Sequence, residues 1–275
     1  MLINFSKMHG LGNDFVVIDA INQTVQLTAE QIKALADRHY GIGFDQLLLV
    51  EPAKMGADFR YVIYNADSSE VSQCGNGARC FALFVTQKGL TNKRSIRVET
   101  DAGELVLTVN EEQLVTVDMG VPKFDPANVP LIAKQQQLQY SVDVLDRTVA
   151  FSALSMGNPH AVLQVENVAT AEVEAVGAAL ESHSLFPERA NIGFSEITGP
   201  DSLALRVYER GAGETLACGS GACAAVVAAV RLGKVTTPTT VALTGGELTI
   251  DWQGEGAPVM MSGPATFVFD GMIDT

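Results

Sequence analysis

A short phrase occurs twice in this chain of 275 residues, and each copy begins with a cysteine and leads into an apolar run. The apolar run predicts a helix, so we expect each cysteine at a helix N-terminus, where free N–H groups and the positive end of the dipole lie. That position stabilises a thiolate and lowers the pKa of the thiol. Two matched thiols, one per half-chain, predict a paired acid and base built from a duplicated unit. The copies are Cys74-Gly75-Asn76-Gly77-Ala78 and Cys218-Gly219-Ser220-Gly221-Ala222, preceded by Glu70 and Glu214.

The ordinary interpretation of a cysteine is a small buried hydrophobe. It suits Cys80 and Cys223, which lie inside the apolar runs. It suits Cys74 and Cys218 poorly, because each precedes a Gly-x-Gly that brings backbone N–H donors close to a ligand. Zinc binding is an alternative, but the spacings within each cysteine pair are wider than usual and no Cys-x-x-Cys is present. We therefore expect free thiols and no metal site.

Nucleotide and phosphate motifs are absent from the sequence. The glycine pairs lack the third glycine of a dinucleotide-binding fingerprint, and no P-loop occurs. The Gly-x-Ser-x-Gly nucleophile elbow of α/β-hydrolases is missing as well. The sequence therefore predicts neither a dinucleotide site nor a phosphate-binding loop.

Polar residues cluster in glycine-rich turns next to expected strand ends. Amide side chains both donate and accept hydrogen bonds, which suits a ligand with ammonium and carboxylate groups. Arg210 offers a bidentate fork to a carboxylate and Glu209 could receive an ammonium, although the two could also form a plain surface pair. His160 could tune a thiol or be structural, and the amides could simply form turns. The clusters are His9–Asp14, Asn65–Asp67, Gly157–His160 and Glu209–Gly211.

Composition narrows the class of protein. The chain is 47% hydrophobic and 18% charged, which is typical of a well-packed folded protein. Its net charge of −14 disfavours binding to nucleic acids and to anionic membranes. No apolar stretch is long enough to span a bilayer, and the N-terminal residues lack the order of a signal peptide. We therefore expect a cytoplasmic protein with no nucleic-acid or membrane partner.

The elements that must position these residues are mostly short strands, with Gly, Asp or Asn between them, which favours a mainly antiparallel sheet. Four helices are predicted, and the two that follow the repeated phrase are apolar on nearly every face and must be buried. A buried helix in each β-rich half predicts two units of class α+β, each a curved sheet around a central helix. Prolines near residues 120–130 mark the boundary. The predicted helices are Ala29–His39 capped by Thr28, Ala78–Lys88, Ala171–Ser182 and Ala222–Leu232.

Taken together and in order, the polar phrases resemble those of diaminopimelate epimerases, and the resemblance extends from the first strand to Asp270-Gly271. The motifs that carry it are Met8–Phe15, Asn65–Ser68, Gln73–Cys80, Gly157–His160, Glu209–Thr215 and Cys218–Ala222.

The resemblance implies a cofactor-independent enzyme that interconverts LL- and meso-diaminopimelate, on the bacterial route to lysine and peptidoglycan. It implies two pseudo-symmetric domains, each a mainly antiparallel β-barrel-like sheet around a central helix, with the active site in the cleft between them. The N-terminal domain would comprise residues 1–120 with a returning C-terminal strand at about 264–275, and the C-terminal domain residues 121–263. It also implies a homodimer, although Phe269 stands where some members have a tyrosine important to dimer contacts.

By the same resemblance Cys74 and Cys218 match the catalytic pair, and His160 and Glu209 match residues that tune the thiols. A proline or hydroxyproline racemase of the same architecture and a non-catalytic small-molecule binding protein remain alternatives. The residues that match substrate contacts are Asn13, Gln46, Asn65, Gly75, Asn76, Asn158, Asn191, Glu209, Arg210, Gly219 and Ser220.

Overall fold

The structure, a computed structural model, describes residues 2–71, 74–101 and 103–275. Gln73 of the quoted motif lies outside the described residues. So does Ala102 of Asp101-Ala102-Gly103, a sequence that predicts a hairpin turn. The chain forms two compact units, Met1–Asp118 with Ser262–Thr275, and Met119–Met261. The domain boundaries expected from the resemblance stay a prediction.

Among the described residues, the first unit contains two α-helices, the eight strands of the N-terminal half and one strand from the C-terminal segment. Its last strand, β18, comes from the C-terminus and pairs antiparallel with β1. The elements are β1 Leu2–Gly10, β2 Asn13–Asp19, α1 Ala29–Ala36, β3 Gln46–Glu51, β4 Phe59–Asn65, β5 Glu70–Val71, α2 Gly75–Gln87, β6 Ser95–Thr100, β7 Gly103–Val109, β8 Val115–Asp118 and β18 Thr266–Asp274.

The second unit repeats this order of elements after one additional strand, β9. The elements are β9 Tyr140–Val144, β10 Arg147–Ser155, β11 Pro159–Gln164, α3 Val173–Glu181, β12 Asn191–Gly199, β13 Ser202–Glu209, β14 Gly213–Thr215, α4 Gly219–Arg231, β15 Thr239–Leu243, β16 Gly246–Trp252 and β17 Val259–Gly263.

Strand pairing follows the same pattern in both units. In the first, β1–β2, β3–β4, β4–β5 and β6–β7 are antiparallel, whereas β2–β3 and β4–β6 are parallel. In the second, β10–β11, β12–β13, β13–β14 and β15–β16 are antiparallel, whereas β11–β12 and β13–β15 are parallel. The predicted α+β class, mainly antiparallel sheets and pseudo-symmetry are therefore confirmed. The parallel pairs require crossovers, which the helices provide.

The matching registers assign equivalent residues in the two units. Phe15 pairs with Gln46 across β2 and β3, and His160 pairs with Asn191 across β11 and β12. The last residues of β4 and β13, Asn65 and Glu209, are likewise equivalent. Each unit therefore carries one version of the same framework with different side chains at matching positions.

Each unit is built around a helix that follows the repeated phrase. In α2 every residue from Asn76 to Val85 is buried, and the helix contacts β1, β2, β3, β7 and β8. In α4 Gly219 and every residue from Gly221 to Ala229 are buried, against β10 to β13, β15 and β16. A helix apolar on all faces must be enclosed, so the predicted central helices are confirmed.

An outer helix covers the other face of each sheet. In the first unit Ile32 and Leu35 of α1 belong to a cluster with Val16 and Leu47, while Phe15 lies on the α2 side. In the second unit α3 packs in the same way on β11 and β12. Strands covered on both faces are apolar at successive positions, which explains the continuous apolar run of β3.

Helix ends differ from the sequence prediction for local reasons. Thr28 and Gln31 form the predicted capping box of α1. The sequence predicts a helix that reaches His39, but α1 ends at Ala36. It ends there because the Asp37 carboxylate accepts from the N–H groups of His39 and Tyr40 at 2.7 and 2.8 Å. Helices α2 and α4 begin earlier than predicted, directly after the two cysteines. Within the described ranges, no helix combines the length and apolar character needed to cross a membrane.

Candidate active site

The first half-site is the group Asn13, Gln46, Asn65, Cys74 and Asn76 at the start of α2. Cys74 is the N-cap of that helix, and its Sγ accepts the N–H of Gly77 at 3.4 Å. Its S–H donates to Oδ1 of Asn13 at a sulfur–oxygen distance of 3.9 Å. The predicted position of this cysteine at a helix N-terminus is therefore confirmed, and the sulfur lies within reach of a neighbouring amide oxygen.

The amide groups of this half-site hold one another. Asn76 donates through Nδ2 to Oδ1 of Asn13 at 3.3 Å, and Gln46 donates through Nε2 to Oδ1 of Asn65 at 2.9 Å. Among the described residues nothing hydrogen-bonds the buried Oε1 of Gln46. A buried polar atom without a protein partner costs free energy unless a ligand or water satisfies it, so this oxygen is available to accept a hydrogen bond from either.

Tyr61, which the sequence analysis does not identify, holds the backbone of Cys74 in place. Its hydroxyl donates to the carbonyl oxygen of Cys74 at 3.3 Å, and the side chain is only 2% exposed. A Cβ on Gly77 would lie 2.2 Å from that hydroxyl, so the close contact requires glycine. Burial raises the pKa of Tyr61 well above its ordinary value, which keeps the hydroxyl protonated. Alternation along β4 could have indicated its inward direction.

The second half-site is the group Asn158, His160, Asn191, Glu209, Arg210, Cys218 and Ser220 at the start of α4. Cys218 is the N-cap and is 4% exposed, with its Sγ 3.6 Å from the hydroxyl of Ser220. Burial, and next the carboxylate of Glu209, raise the pKa of Cys218 well above that of an ordinary thiol. The Ser220 hydroxyl and the Gly221 N–H act in the opposite direction.

The expectation of a lowered thiol pKa is therefore wrong for Cys218. It considered only the helix N-terminus, whose N–H groups do favour a thiolate. Removal from water and a nearby negative charge both disfavour the thiolate, and here they outweigh the helix. Without substrate, these surroundings favour the protonated thiol of Cys218.

Glu209 and Arg210 are each held by residues of the second unit. Thr215 donates its hydroxyl hydrogen to Oε1 of Glu209 at 2.5 Å. The backbone N–H of Arg210 donates to Oδ1 of Asn191 at 3.0 Å, and its guanidinium donates to the carbonyl oxygen of Glu188 at 3.1 Å. These contacts fix a carboxylate and a guanidinium beside the start of α4.

His160 contacts Asn158. The ring is 1% exposed, and its Nε2 lies 2.9 Å from Oδ1 of Asn158, whose Nδ2 donates to the Ser220 hydroxyl at 3.4 Å. Burial, with the charge of Arg210, lowers the pKa of His160 to about 3, so the ring is neutral. Because an amide oxygen only accepts, Nε2 must carry the ring hydrogen. That His160 tunes a thiol stays a prediction.

The two glutamates that precede the cysteines lie apart from this chemistry. Glu214 forms a bidentate ion pair with Arg206 at 2.6 and 2.8 Å, which fixes β14 against β13. Glu70 occupies the equivalent position on β5. In the part of the chain that the structure describes, no three His, Cys, Asp or Glu side chains are grouped to hold a metal ion.

Comparison with known families agrees with the geometry. The family model for diaminopimelate epimerase matches residues 5–124 and 152–268, which include both cysteines and both half-sites. The chain belongs to the diaminopimelate epimerase family. The resemblance found in its motifs is thereby confirmed, and membership makes this family member an isomerase of the amino-acid epimerase type.

Solved structures show the same fold at low sequence identity. A PhzF-family phenazine biosynthesis protein from Bacillus anthracis has a TM-score of 0.70 at 18% identity, with 100% of both chains covered. A hydroxyproline epimerase from Agrobacterium vitis, with bound trans-4-hydroxy-L-proline, has a TM-score of 0.70 at 15% identity, covering 99% of this chain and 92% of that one. A probable proline racemase from Agrobacterium radiobacter has a TM-score of 0.69 at 16% identity and the same coverages.

Proposed function

We propose that this family member is a diaminopimelate epimerase that interconverts the LL and meso isomers without a cofactor. The observation that supports the proposal is the equivalent placement of Cys74 and Cys218, each at the N-cap of a buried central helix. Inversion of a stereocentre needs a base on one face of the α-carbon and an acid on the other. Two thiols, one deprotonated and one protonated, supply that pair.

The protons move as follows. The thiolate of one cysteine takes the α-hydrogen as an S–H, and the electron pair stays on the α-carbon and its carboxylate. The thiol of the other cysteine then donates its proton to the opposite face. The raised pKa of Cys218 makes it the proton donor for the isomer whose α-hydrogen faces Cys74. That turnover leaves Cys74 as a thiol and Cys218 as a thiolate, which is the state that the other isomer needs. Backbone N–H groups at the starts of α2 and α4 would stabilise the carboxylate as it gains charge.

A diaminopimelate has two amino-acid ends, and the polar groups suit both. Gln46 offers a buried acceptor oxygen to an ammonium, as does the carboxylate of Glu209. Arg210 offers donors to a carboxylate. A substrate with one amino-acid end, such as proline, would leave part of this set without a partner. The remaining proposed substrate contacts are Asn13, Asn65, Gly75, Asn76, Asn158, Asn191, Gly219 and Ser220.

Deuterium exchange at the α-carbon tests the proposal. Metal-free, reduced protein in D₂O is expected to incorporate deuterium at one α-carbon of LL-diaminopimelate and to form the meso isomer. Protein alkylated with iodoacetamide is the control and should do neither. Exchange into proline or hydroxyproline but not diaminopimelate would identify a racemase of the same architecture. Binding of diaminopimelate that survives alkylation and produces no exchange would identify a binding protein.

We further propose that the protein is a cytoplasmic homodimer. Leu2 on β1 and Val268, Phe269 and Met272 on β18 are exposed apolar side chains on neighbouring strands. Grouped exposed apolar side chains mark interaction surfaces. Sedimentation equilibrium should give twice the chain mass, and Met272→Glu should weaken the association. A monomer at all concentrations would exclude the dimer without bearing on the chemistry.

A further inference from the structure

Two equivalent asparagines are held in opposite orientations. Asn13 is the first residue of β2 and Asn158 directly precedes β11. They occupy matching positions, because Phe15 and His160, each two residues further on, hold the same register position. Asn13 turns its Oδ1 to the start of α2, where it accepts from Asn76 at 3.3 Å. Asn158 turns its Nδ2 to the start of α4, where it donates to Ser220 at 3.4 Å. The first helix start therefore faces an acceptor and the second faces a donor.

A carboxylate holds Asn13 from its amino end. Nδ2 of Asn13 donates to Oδ2 of Asp45 at 2.9 Å. A carboxylate only accepts, so it selects the amino end of the amide and directs the oxygen to Cys74. Hydrogen bonds to a charged group are also stronger than those between neutral groups.

Asp45 is itself fixed by several contacts. Its Oδ2 also accepts the backbone N–H of Asp14 at 3.1 Å, and Arg38 contacts its Oδ1 at 2.8 Å. The same guanidinium holds the carboxylate of Asp14 at 2.7 and 3.1 Å. The side chain that orients Asn13 is therefore anchored by both a cation and the backbone.

In the second unit, a histidine holds the oxygen end of the Asn158 amide instead of a carboxylate holding its amino end. Ala190 precedes Asn191 as Asp45 precedes Gln46, so no carboxylate stands at that position. Instead His160 donates from Nε2 to Oδ1 of Asn158 at 2.9 Å, and the amino end faces the helix. The reversal of the amide thus follows from which neighbour is present.

We propose that Asp45 is a positioning residue that fixes the Asn13 amide with its oxygen toward Cys74 and the substrate. The proposal rests on the proposed function, in which Asn13 contacts substrate. With this orientation, Oδ1 of Asn13 can accept a hydrogen bond from the Cys74 thiol or from a substrate ammonium. At the equivalent place in the second half-site, Nδ2 of Asn158 can instead donate to a substrate carboxylate. Asp45 thereby contributes to which end of a substrate each half-site accepts.

A double-mutant cycle tests the assignment through activity. Asp45→Ala should lower kcat/KM for diaminopimelate about 10- to 100-fold, the range for loss of a hydrogen bond to a charged group. In an Asn13→Ala background the same change should cost less than about threefold, because Asp45 would have nothing left to orient. Glu104→Ala is the matched control. The side chain of Glu104 is 46% exposed and pairs with one arginine, and the side chain of Asp45 is similarly exposed, at 45%. Equal losses in both backgrounds would overturn the proposal.

Alkylation tests the assignment without turnover. An Asn13 amide freed by Asp45→Ala can turn its NH₂ group to the sulfur, and the thiolate is the reactive form. Cys74 should then react faster with iodoacetamide, while Cys218, followed in the same sample by peptide mass spectrometry, keeps its rate. The acceleration should vanish with Asn13→Ala, and an unchanged Cys74 rate would contradict the proposal. If wild-type protein shows no exchange with diaminopimelate, the function fails while this measurement still decides the role of Asp45.

Discussion

The two half-sites share a framework and differ in the groups beside each cysteine. Asn65 ends β4 where Glu209 ends β13, so the two side chains occupy equivalent positions. The neutral amide accompanies Cys74 and the carboxylate accompanies Cys218, whose pKa it helps to raise. The duplicated backbone thus places two equivalent thiols, and the side chains that differ between the halves give each thiol different electrostatic surroundings.

Removing either thiol should have the largest effect. Cys74→Ala and Cys218→Ala should each lower epimerisation by about 10³-fold or more, since each deletes one of two groups that transfer protons. Each variant should retain slow exchange only on the isomer whose α-hydrogen faces the remaining thiol. Turnover of both isomers in D₂O measures this, with the unfolding midpoint as the control for folding. Near-normal turnover in either variant would contradict the mechanism in which both thiols transfer protons.

Exchanging the groups beside the cysteines should have the next largest effect. Glu209→Gln removes a negative charge, so the pKa of Cys218 should fall and its alkylation at neutral pH should accelerate. The variant should also lose about 10- to 100-fold in kcat/KM, the range for a hydrogen bond to a charged group. Asn65→Asp places the carboxylate in the other half-site and should slow alkylation of Cys74.

Site-resolved mass spectrometry over a range of pH measures both rates in one sample. Glu188→Gln is the control, because this exposed residue of the same unit contributes its backbone carbonyl to Arg210. If Glu209→Gln leaves the alkylation profile of Cys218 unchanged, burial alone raises the pKa of Cys218. The charge of Glu209 would then not distinguish the two cysteines.

Much of this framework was predictable because its signals are local. The apolar runs after Cys74 and Cys218 predicted the central helices, and the capping pattern at Thr28 predicted α1. The sequence predicts later helix starts than the structure has, because Gly75 and Gly219 have low helix propensity while the cysteines act as caps. The early end of α1 depended on how Asp37 used its carboxylate.

The proton on Cys218 and the orientation of Asn13 were not predictable, because both depend on contacts between separate strands. Glu209 reaches Cys218 from the end of β13, and Asp45 reaches Asn13 through the parallel pairing of β2 with β3. Spacing along the chain carries no signal for such contacts. Tyr61 is a similar case, since its hydroxyl meets the Cys74 carbonyl only after β4 packs on α2.

Equivalent glycines of the two central helices should respond differently to a methyl group. A Cβ on Gly77 would lie 2.2 Å from the Tyr61 hydroxyl, whereas a Cβ on Gly221 would lie 3.1 Å from Val207 and 3.2 Å from the sulfur of Cys218. Gly77→Ala should therefore reduce the free energy of unfolding by about 1–3 kcal/mol, the range for overpacking, and Gly221→Ala by less.

Urea unfolding measures both changes, and Tyr61→Phe provides the control. Without the hydroxyl oxygen the alanine at position 77 fits better, so stability should partly return in the double variant. Activity should stay low, because the hydrogen bond to the Cys74 carbonyl is lost. Equal destabilisation by the two glycine variants would mean that the two helix starts are packed alike.

The smallest expected effect is a pH dependence of stability at equivalent positions, which hold Phe15 in the first unit and His160 in the second. The folded state lowers the pKa of His160 from 6.5 to about 3, so below pH 6.5 the unfolded chain binds more protons. Stability should fall with decreasing pH between 6.5 and 3, by about 1.4 kcal/mol per unit, and should show no contribution above 6.5. His160→Gln should flatten this slope, while Phe15→Leu should destabilise without changing it. Urea unfolding from pH 7 to 4 measures the slopes, and a wild-type slope in His160→Gln would assign the acid sensitivity to other groups.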